Sequence, residues 1–469
     1  MPPPPSPKTL EEAIEIIASL YQRILELEAK LRQNSSNSSR PPSSDPPGAP
    51  PSTPKPKPSG LKRGGQSGHD KHERSLVAVE QVDALVPLKP TQCRKCSGAL
   101  GGSDPTPYRT QLFDVPPVKA TVHEYQLHSL CCDRCRTMTR AELPVGVPRG
   151  QFGPRLQAVV AVCSGAYRLS KRSTEELVHD FFGVEISLGT VAKLEQATSE
   201  AVAKPVEEIA RAIQQEPVVH ADETGWYERS KRAWLWAAVT AHMAMFLISP
   251  SRATPMAKQL LGAAFAGILI SDRWHAYNFV ETVRRQLCWA HLARDFKAFA
   301  DLGSEAKALS VNLGALVHTM FHNWHRVRDG TLSRSEFQQL MQSIQADIEA
   351  CLLKGTSIPS LAKKCRRILN LQAALWTFVS VEGVEPTNNR GERIVRHAVL
   401  WRKGCFGTDS ANGSRFVERI LTVVMTLRLQ KRNVLEYVTA ACTDALHGRP
   451  TASLLPQHLL VQPAFALAA

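Results

Sequence analysis

Five short runs between residues 216 and 290, most of them rich in apolar residues, limit the folds that this chain can adopt. Each run is bounded by polar or turn-forming residues, which is typical of buried β-strands. The predicted strands lie at residues 218–221, 233–240, 243–249, 267–271 and 284–289. A helix is predicted at about 254–262, between the third strand and the fourth. The first three strands are separated only by turns, which predicts an antiparallel arrangement.

The order of these elements predicts an RNase H-like fold. Three antiparallel strands come first, and helix, strand, helix and strand segments follow them. In this order the first and fourth strands are neighbours in the sheet. Asp222 follows the first strand and Asp272 ends the fourth. The two carboxylates are therefore expected to face one another across the sheet.

A third acid is expected from a helix packed beside the sheet. Glu392 fits this position, because Asn388 or Asn389 can cap a helix whose first turn contains Glu392. Glu385 is the rival, but it precedes Pro386 and lies outside that helix. Either strand-end acid, taken alone, could be an ordinary carboxylate. Their order and the third acid together favour a site.

Three converging carboxylates suit the cleavage of a phosphodiester bond. Two Mg²⁺ (or Mn²⁺) ions about 3.5–4 Å apart can activate the attacking oxygen and stabilise the leaving one. Hard cations prefer carboxylate oxygens. Without metal, three close carboxylates repel one another, and at least one is expected to take up a proton. The sequence therefore predicts a two-metal site formed by Asp222, Asp272 and Glu392.

Basic residues surround the third acid and are candidates for DNA binding. They are Arg390, Arg393, Arg396, Arg402 and Lys403. Such a helix can track phosphates. The alternative is pairing within the helix, because Glu392 and Arg396 are four residues apart.

Four cysteines occur as two Cys-x-x-Cys pairs, Cys93 with Cys96 and Cys132 with Cys135. Four thiolates complete a tetrahedral shell around structural Zn²⁺, so residues 76–146 are predicted to form a zinc-ribbon DNA-binding domain with short strands at about 112–127. Cys131 is a possible substitute ligand. A redox or incidental pairing is the alternative.

A further motif, Cys288-Trp289-Ala290-His291, follows the fifth strand. It could be half of a metal site. A second cysteine or histidine pair to complete that site is not evident in the sequence, so packing is the favoured interpretation.

The segments outside the core differ in composition. Residues 8–32 carry apolar residues in an a/d heptad pattern, which predicts a coiled coil or leucine zipper, with a helix docked on its own domain as the alternative. Residues 33–75 are a basic Pro/Ser-rich stretch and are predicted to be a disordered linker. The pattern in residues 150–205 predicts a helix, a glycine turn and a second, capped helix. This is a helix-turn-helix-like region with Lys193 facing outward.

The remaining assignments complete a multidomain α/β chain. The catalytic core is predicted at 216–440 with a helical insertion at about 290–380, and residues 441–469 are predicted to be a C-terminal tail. The formal charge of +14 favours a polyanionic partner, although many basic proteins bind none. Neither a secretory signal nor a membrane-spanning run is visible, so a cytoplasmic protein is expected, nucleoid-associated when bound to DNA.

The chain resembles the insertion sequence 66 family of transposases, which are DDE enzymes with an RNase H-like core. The resemblance rests on His220-Ala221-Asp222-Glu223-Thr224, Ser271-Asp272-Arg273-Trp274-His275-Ala276-Tyr277, Cys288-Trp289-Ala290-His291, Thr387-Asn388-Asn389-Arg390-Gly391-Glu392-Arg393 and Arg402-Lys403. It implies that Asp222, Asp272 and Glu392 are the catalytic triad, and that a zinc-binding DNA-recognition region precedes the core.

The resemblance therefore predicts a transposase that binds the terminal repeats of its element as double-stranded DNA, cleaves a strand, and joins the freed 3′-hydroxyl to target DNA. The zipper is expected to pair protomers into a dimer or higher assembly on DNA, and accessory proteins of the same element are possible partners. An RNase H-like DNA nuclease and a catalytically inactive zinc-ribbon regulator are the alternatives.

Overall fold

The computed structural model describes residue 7, residues 9–31, residue 34 and residues 74–460. Contacts divide the chain into two units, one containing residues 54–119 and the other containing the remaining residues. Each unit is described separately below. The strands of the described residues are β1 Ser129–Cys131, β2 Met138–Arg140, β3 Val218–Glu228, β4 Lys231–Val239, β5 Ala244–Ser249, β6 Ile268–Ser271 and β7 Arg285–Leu287.

Helices make up most of the larger unit. Those of the described residues are α1 Leu10–Leu31, α2 Pro154–Gly165, α3 Lys171–Phe182, α4 Leu188–Ala201, α5 Ala203–Ile213, α6 Thr254–Leu261, α7 Trp289–Phe299, α8 Ser304–Arg328, α9 Arg334–Gly355, α10 Ala362–Leu369, α11 Thr377–Ser380, α12 Asn389–Cys405, α13 Ala411–Leu429, α14 Val434–Leu446 and α15 Gln457–Leu460. Together with the sheet they form a mixed α/β structure.

A five-stranded mixed sheet lies at the centre of the larger unit, in the order β5-β4-β3-β6-β7. The first three strands pair antiparallel, and β6 and β7 add in parallel. The predicted neighbours, the first and fourth strands, are paired, with His220 opposite Ile270. The predicted end of the first strand is wrong, because β3 continues to Glu228. Asp222 therefore lies within β3, opposite Ala237 of β4.

Two hydrophobic cores flank this sheet. The larger one joins the buried faces of β3, β4 and β5 to α2, α5, α6, α12, α13 and α14. The second joins Ile270 of β6 and Leu287 of β7 to the helices between residues 289 and 381. All residues from 288 to 388 are described, and none of them is in a strand. The segment predicted to be a helical insertion is therefore helical.

Helix α13 covers the edge strand β5 through side-chain acceptors spaced four residues apart. The N–H groups of Ala244, Phe246 and Ile248 donate to Thr426 Oγ1, Thr422 Oγ1 and Glu418 Oε1, at 3.0, 3.1 and 2.6 Å. Four helical residues advance about 6 Å and two strand residues about 6.6–6.8 Å, so the two repeats stay nearly in phase over this length. These bonds satisfy donors that would otherwise be left unpaired along the edge.

We expect Thr422→Val to lower the free energy of unfolding by about 1–3 kcal/mol, because the N–H of Phe246 is then buried without an acceptor. The measurement is the midpoint of urea unfolding. The matched control is Thr319→Val, whose hydroxyl bonds only to the carbonyl of Ala315 on an exposed face of α8. Equal midpoints for the two variants would show that the helix does not stabilise the edge strand in this way.

The helix-turn-helix-like region has the predicted local signals. Gly183 ends α3 in the left-handed conformation, with φ of 65°. Ser187 caps α4, since its Oγ accepts the N–H of Thr190 at 3.2 Å. A small separate core holds these helices together; its buried members are Val160, Val178, Ile186 and Val191.

The two Cys-x-x-Cys pairs fall in different units, and each forms the same tight turn. The N–H of Cys93 donates to the carbonyl of Gly98, and that of Cys132 to the carbonyl of Thr137, at 2.8 and 3.0 Å. The fifth residue of each turn has positive φ: 56° at Ser97 and 60° at Arg136.

The strands predicted at about 112–127 are not present. The hairpin of β1 and β2 instead flanks the second cysteine pair, with Cys131 opposite Met138. Apolar residues had suggested strands in the earlier segment, yet Leu112 and Val122 are more than 90% exposed. Their apolar character did not predict a pairing partner.

The N-terminal helix α1 contains the predicted heptad positions, and most of its described large apolar side chains are exposed. Almost all of the predicted linker at 33–75 lies outside the described residues, as do residues 461–469.

The predicted tail boundary at 441 is wrong, because α14 continues to Leu446 and the buried Leu454 and Leu455 join the larger core. No helix of the described residues is both long and apolar enough to cross a membrane.

Candidate active site

Asp222 and Asp272 are placed by two adjacent strands. The parallel register pairs His220 of β3 with Ile270 of β6, and the same register extended by two residues sets Asp222 beside Asp272. Backbone N–H groups hold each carboxylate. Asp222 Oδ1 accepts the N–H of Glu223 at 2.9 Å, and Asp272 Oδ1 accepts that of Trp274 at 2.8 Å.

Asn388 connects the third acid to the strand that carries the first. Glu392 lies in the first turn of α12, as predicted, and its N–H donates to the carbonyl of Asn388 at 3.0 Å. Asn388 takes the N-cap position, but its side chain does not cap the helix. Its Nδ2 donates to the carbonyl of Ala221 at 2.8 Å, and its Oδ1 lies 3.1 Å from His220 Nδ1.

This arrangement also fixes the tautomer of His220. Burial lowers the pKa of His220 to about 4, so the ring is neutral at physiological pH. The amide nitrogen of Asn388 is committed to Ala221, which leaves Oδ1 facing the ring. His220 must therefore carry its proton on Nδ1 and donate it to Asn388.

Burial raises the pKa of all three acids, and neighbouring acids also raise the pKa of Asp222 and Glu392. Burial, and then the nearby Glu223, Asp272 and Glu392, raise the pKa of Asp222 well above its ordinary value. Burial also raises the pKa of Asp272, against the backbone N–H of Trp274 and nearby arginines. The pKa of Glu392 is raised by burial and by Asp272, although Arg294 opposes this. The site thus concentrates negative charge that a bound cation would relieve.

A second carboxylate of the same strand, Glu223, forms a buried network that the sequence did not predict. Arg252 donates to Glu223 Oε1 from Nε and Nη2, at 2.9 and 2.6 Å. Tyr277 donates its hydroxyl to Oε2 at 2.6 Å. The guanidinium of Arg252 also lies 3.7 Å from the ring centroid of Trp274 and 4.6 Å from that of Trp234. These contacts fix β3 to the loop that follows Asp272.

Another buried group, Arg285 of β7, supports the same loop. Its Nη1 donates to Asn278 Oδ1 at 2.9 Å, and its Nη2 donates to the carbonyl of Asp272 at 3.3 Å. No local sequence pattern predicts this role of Arg285, because the residue lies in a strand that otherwise packs in the core.

We expect Glu223 to make the metal-free protein less stable as pH rises from 4.5 to about 7. Burial, followed by Asp272, raises the pKa of Glu223 from 4.5 to about 7, although Arg252 and Tyr277 oppose this. The folded state therefore holds a proton that the unfolded state has released, and the stability lost across this window is on the order of 3 kcal/mol. In EDTA, Glu223→Gln should make the melting temperature depend less steeply on pH. The control Glu305→Gln, at an exposed acid, should leave the slope of melting temperature against pH unchanged. Parallel curves for the wild type and Glu223→Gln would contradict the assignment.

The Cys288-x-x-His291 motif meets Glu392 rather than a second cysteine or histidine pair. One ligand atom from each of the three residues lies within 4.8 Å of the others, and this is the one such group of three or more among the described residues. His291 Nδ1 is 3.7 Å from Glu392 Oε1. Burial lowers the pKa of His291 to about 3, so this contact is not an ion pair. Cys288 Sγ accepts the N–H of Asn388 at 3.2 Å.

The predicted DNA-binding cations of α12 divide into two groups. Arg390 and Arg402 turn toward the sheet: Arg390 donates to the carbonyl of Thr240, and Arg402 donates to Thr224 Oγ1 and the carbonyl of Gly225. Arg390 also lies 3.9 Å from Glu385, the rival third acid. Exposed positions are occupied by Arg393, Arg396 and Lys403 on α12 and by Lys193 on α4.

Spacings of three and seven residues place Arg393, Arg396 and Lys403 on one face of α12. The close contact of Glu392 is with the neutral His291, not with Arg396 four residues away. The intrahelical pairing considered from the sequence is therefore not formed, and this face carries cations in solvent.

Comparison with known proteins connects this site to a family. The profile described as Transposase IS66 family matches residues 149–415, which is more than half of the chain. The chain belongs to this family. The resemblance seen in the sequence motifs is thus confirmed.

The matched segment of this IS66 family chain contains the three acids, the Cys288-x-x-His291 motif and α12. Residues 2–75 match a family of unknown function (DUF6444). An uncharacterized protein, y4qI of Sinorhizobium fredii, is 24% identical over 432 residues, which cover 85% of this chain and 77% of that protein.

Proposed function

We propose that this chain is the DNA transposase of an insertion sequence, acting through a DDE site in an RNase H-like core. The observation that carries the proposal is the convergence of Asp222, Asp272 and Glu392 from β3, β6 and α12: Asp272 and Glu392 raise the pKa of Asp222, and Asp272 raises that of Glu392. The sheet order β5-β4-β3-β6-β7 supports the RNase H-like assignment. The family membership supports transposition as the reaction.

The donor set fits divalent cations such as Mg²⁺ or Mn²⁺. All three side chains offer hard carboxylate oxygens, and the charged neighbours that raise the pKa of Asp222 are all acids. Bound cations would activate the attacking oxygen and stabilise the leaving oxygen of the phosphodiester. Asp222, Asp272 and Glu392 would hold two of them, and Asn388 and the Glu223 network would keep these acids aligned.

The proposed reaction has two steps. In the first, water cleaves a strand at the element end and frees a 3′-hydroxyl. In the second, that hydroxyl forms a bond to a target phosphorus while a P–O bond of the target strand breaks. Side chains of this protein are not bonded to DNA in either step. The acids position the reacting phosphate, and the exposed cations of α12 hold neighbouring phosphates.

We also propose roles for the segments outside the core. Each Cys-x-x-Cys turn offers two thiolates, and four complete a structural zinc site. Backbone N–H groups of the first turn lower the pKa of Cys93, and Thr137 lowers that of Cys135, which favours the thiolate form. The zinc region and α4 would bind the terminal repeats of the element in double-stranded DNA.

The exposed stripe of α1 would pair protomers into a dimer or larger assembly, so that two element ends are held together. Such a protein would act in the cytoplasm, on the nucleoid.

Acidic residues line the surface between α3 and α4, so the DNA contact of this helix pair is proposed for the face of α4 that carries Lys193.

The test is a cleavage and joining assay. Purified protein is mixed with DNA carrying the ends of its element and with a second DNA, in Mg²⁺ or in EDTA. We expect metal-dependent nicking and joining, both lost in Asp272→Asn. Nicking without joining would favour the nuclease, and specific binding without metal-dependent cleavage would favour the regulator.

We expect Arg396→Ala to weaken binding to DNA of any sequence. Removing one cation that neutralises a phosphate should reduce the slope of log affinity against log salt by about 1. The measurement is fluorescence anisotropy at several salt concentrations. Arg367, on α10, lies outside the proposed DNA surface, and Arg367→Ala is the control. An unchanged salt slope in Arg396→Ala would remove this face of α12 from the DNA interface.

A further inference from the structure

Cys288, His291 and Glu392 offer a sulfur, a nitrogen and an oxygen atom that face one another. Two segments far apart in sequence bring them together. Cys288 is the N-cap of α7 and His291 lies in its first turn, while Glu392 lies in the first turn of α12. The two helix starts are joined by backbone bonds, since Trp289 N–H donates to the carbonyl of Pro386 at 2.9 Å.

Two of the three ligand atoms in this cluster have no hydrogen-bond partner. His291 Nδ1 and Glu392 Oε1 are both buried and lack a hydrogen bond, although they lie 3.7 Å apart. Buried polar atoms in native proteins are nearly always satisfied, so each such pair requires an explanation. The side chain of Glu392 is 38% exposed as a whole, which means that Oε1 is the sheltered oxygen and the rest of the group reaches solvent.

The spacing of these atoms suits a small tetrahedral ion. Zn²⁺ binds sulfur at about 2.3 Å and nitrogen or oxygen at about 2.0–2.2 Å, which separates neighbouring ligand atoms by about 3.3–3.6 Å. The observed 3.7 Å between His291 Nδ1 and Glu392 Oε1 is close to this value. A mixed sulfur, nitrogen and oxygen set favours Zn²⁺ over Mg²⁺, which prefers oxygen alone.

We propose that Cys288, His291 and Glu392 form a second zinc site, separate from the cysteine pairs, with a fourth position open to water. The site shares Glu392 with the proposed catalytic acids. A carboxylate has two oxygens, so binding through Oε1 leaves the other for those acids. The zinc ion would then fix the rotamer of Glu392 and lock the start of α12 to that of α7.

The test measures the zinc content of the full-length protein by mass spectrometry. A background variant with Cys93, Cys96, Cys132 and Cys135 all changed to serine removes the other predicted ligands. We expect one zinc per chain in this background, and loss of that equivalent when His291→Ala or Cys288→Ala is added. Cys365→Ala, which removes a buried thiol of the helical layer, is the matched control and should retain the metal.

Zinc-free background protein that still melts cooperatively would overturn the proposal. If the background variant does not fold, the wild-type chain is compared directly with its His291→Ala variant: loss of one equivalent supports the site, and equal zinc overturns it.

A further arm separates this site from the proposed function. Asp272→Asn should lose DNA joining but keep the zinc, because Asp272 is not one of the three ligands. Zinc bound at the site without any joining activity would leave this inference standing and the proposed function in error. DNA joining by a protein that lacks this zinc would leave the proposed function standing and this inference in error.

Discussion

Asp222→Asn is expected to abolish DNA cleavage and, at the same time, to stabilise the metal-free protein. The loss of activity should be on the order of 10³-fold, because removing a metal ligand forfeits several kcal/mol of transition-state stabilisation. The gain in stability follows from the burial and crowding of the three acids, which raise the pKa of Asp222 well above its ordinary value. A neutral amide removes that repulsion.

Melting curves in EDTA and in Mg²⁺ test the stability half of this prediction, and a DNA cleavage assay tests the other half. In EDTA, Asp222→Asn should melt at a higher temperature than the wild type. Added Mg²⁺ should raise the melting temperature of the wild type, because a ligand that binds only the folded state stabilises it, and should raise that of the variant much less. Asp301→Asn, a change at an exposed acid, is the control and should match the wild type in both conditions. A variant that melts lower in EDTA, or that keeps cleaving DNA, would rule out the proposed role of Asp222.

The order of the strands was predictable because it depends on local signals. Apolar runs and turns identify strands, and the fold order then sets the first beside the fourth, as the pairing of β3 with β6 confirms. The end of β3 was misjudged because Asp222, Glu223 and Thr224 are polar, and polar residues suggest that a strand has ended. Glu223 is buried there only because Arg252 and Tyr277 satisfy its oxygens.

Partners distant in sequence were the part that could not be predicted. For the Cys288-x-x-His291 motif no completing pair was evident in the sequence and packing was favoured, whereas the structure brings Glu392 to it from about 100 residues away. Asn388 or Asn389 was expected to cap α12, since local patterns describe the helix that a residue begins. The side chain of Asn388 instead bonds to Ala221 and His220. Such contacts depend on how helices and sheet pack, which a local pattern does not contain.

Asn388→Ala is therefore expected to have the largest effect on stability among single changes near the site. The residue is 1% exposed, and the loss of its side chain leaves the carbonyl of Ala221 and the ring nitrogen of His220 buried without partners. At about 1–3 kcal/mol for each of the two groups, the free energy of unfolding should fall by roughly 2–6 kcal/mol. Cleavage should also fall at temperatures where the variant remains folded, because Ala221 precedes Asp222 and Asn388 precedes the helix of Glu392.

The neighbouring Asn389 provides the matched control. It has the same chemistry and begins the same helix, but it is exposed, so Asn389→Ala should change the melting temperature little. Gly391→Ala probes the same contact without removing it, since an added Cβ would lie 2.7 Å from Asn388 Oδ1 and displace the amide. We expect it to lower stability and cleavage in the same direction as Asn388→Ala. If Asn388→Ala and Asn389→Ala behave alike in melting and in cleavage, the two strands and the helix are aligned by packing alone, and the amide has no organising role.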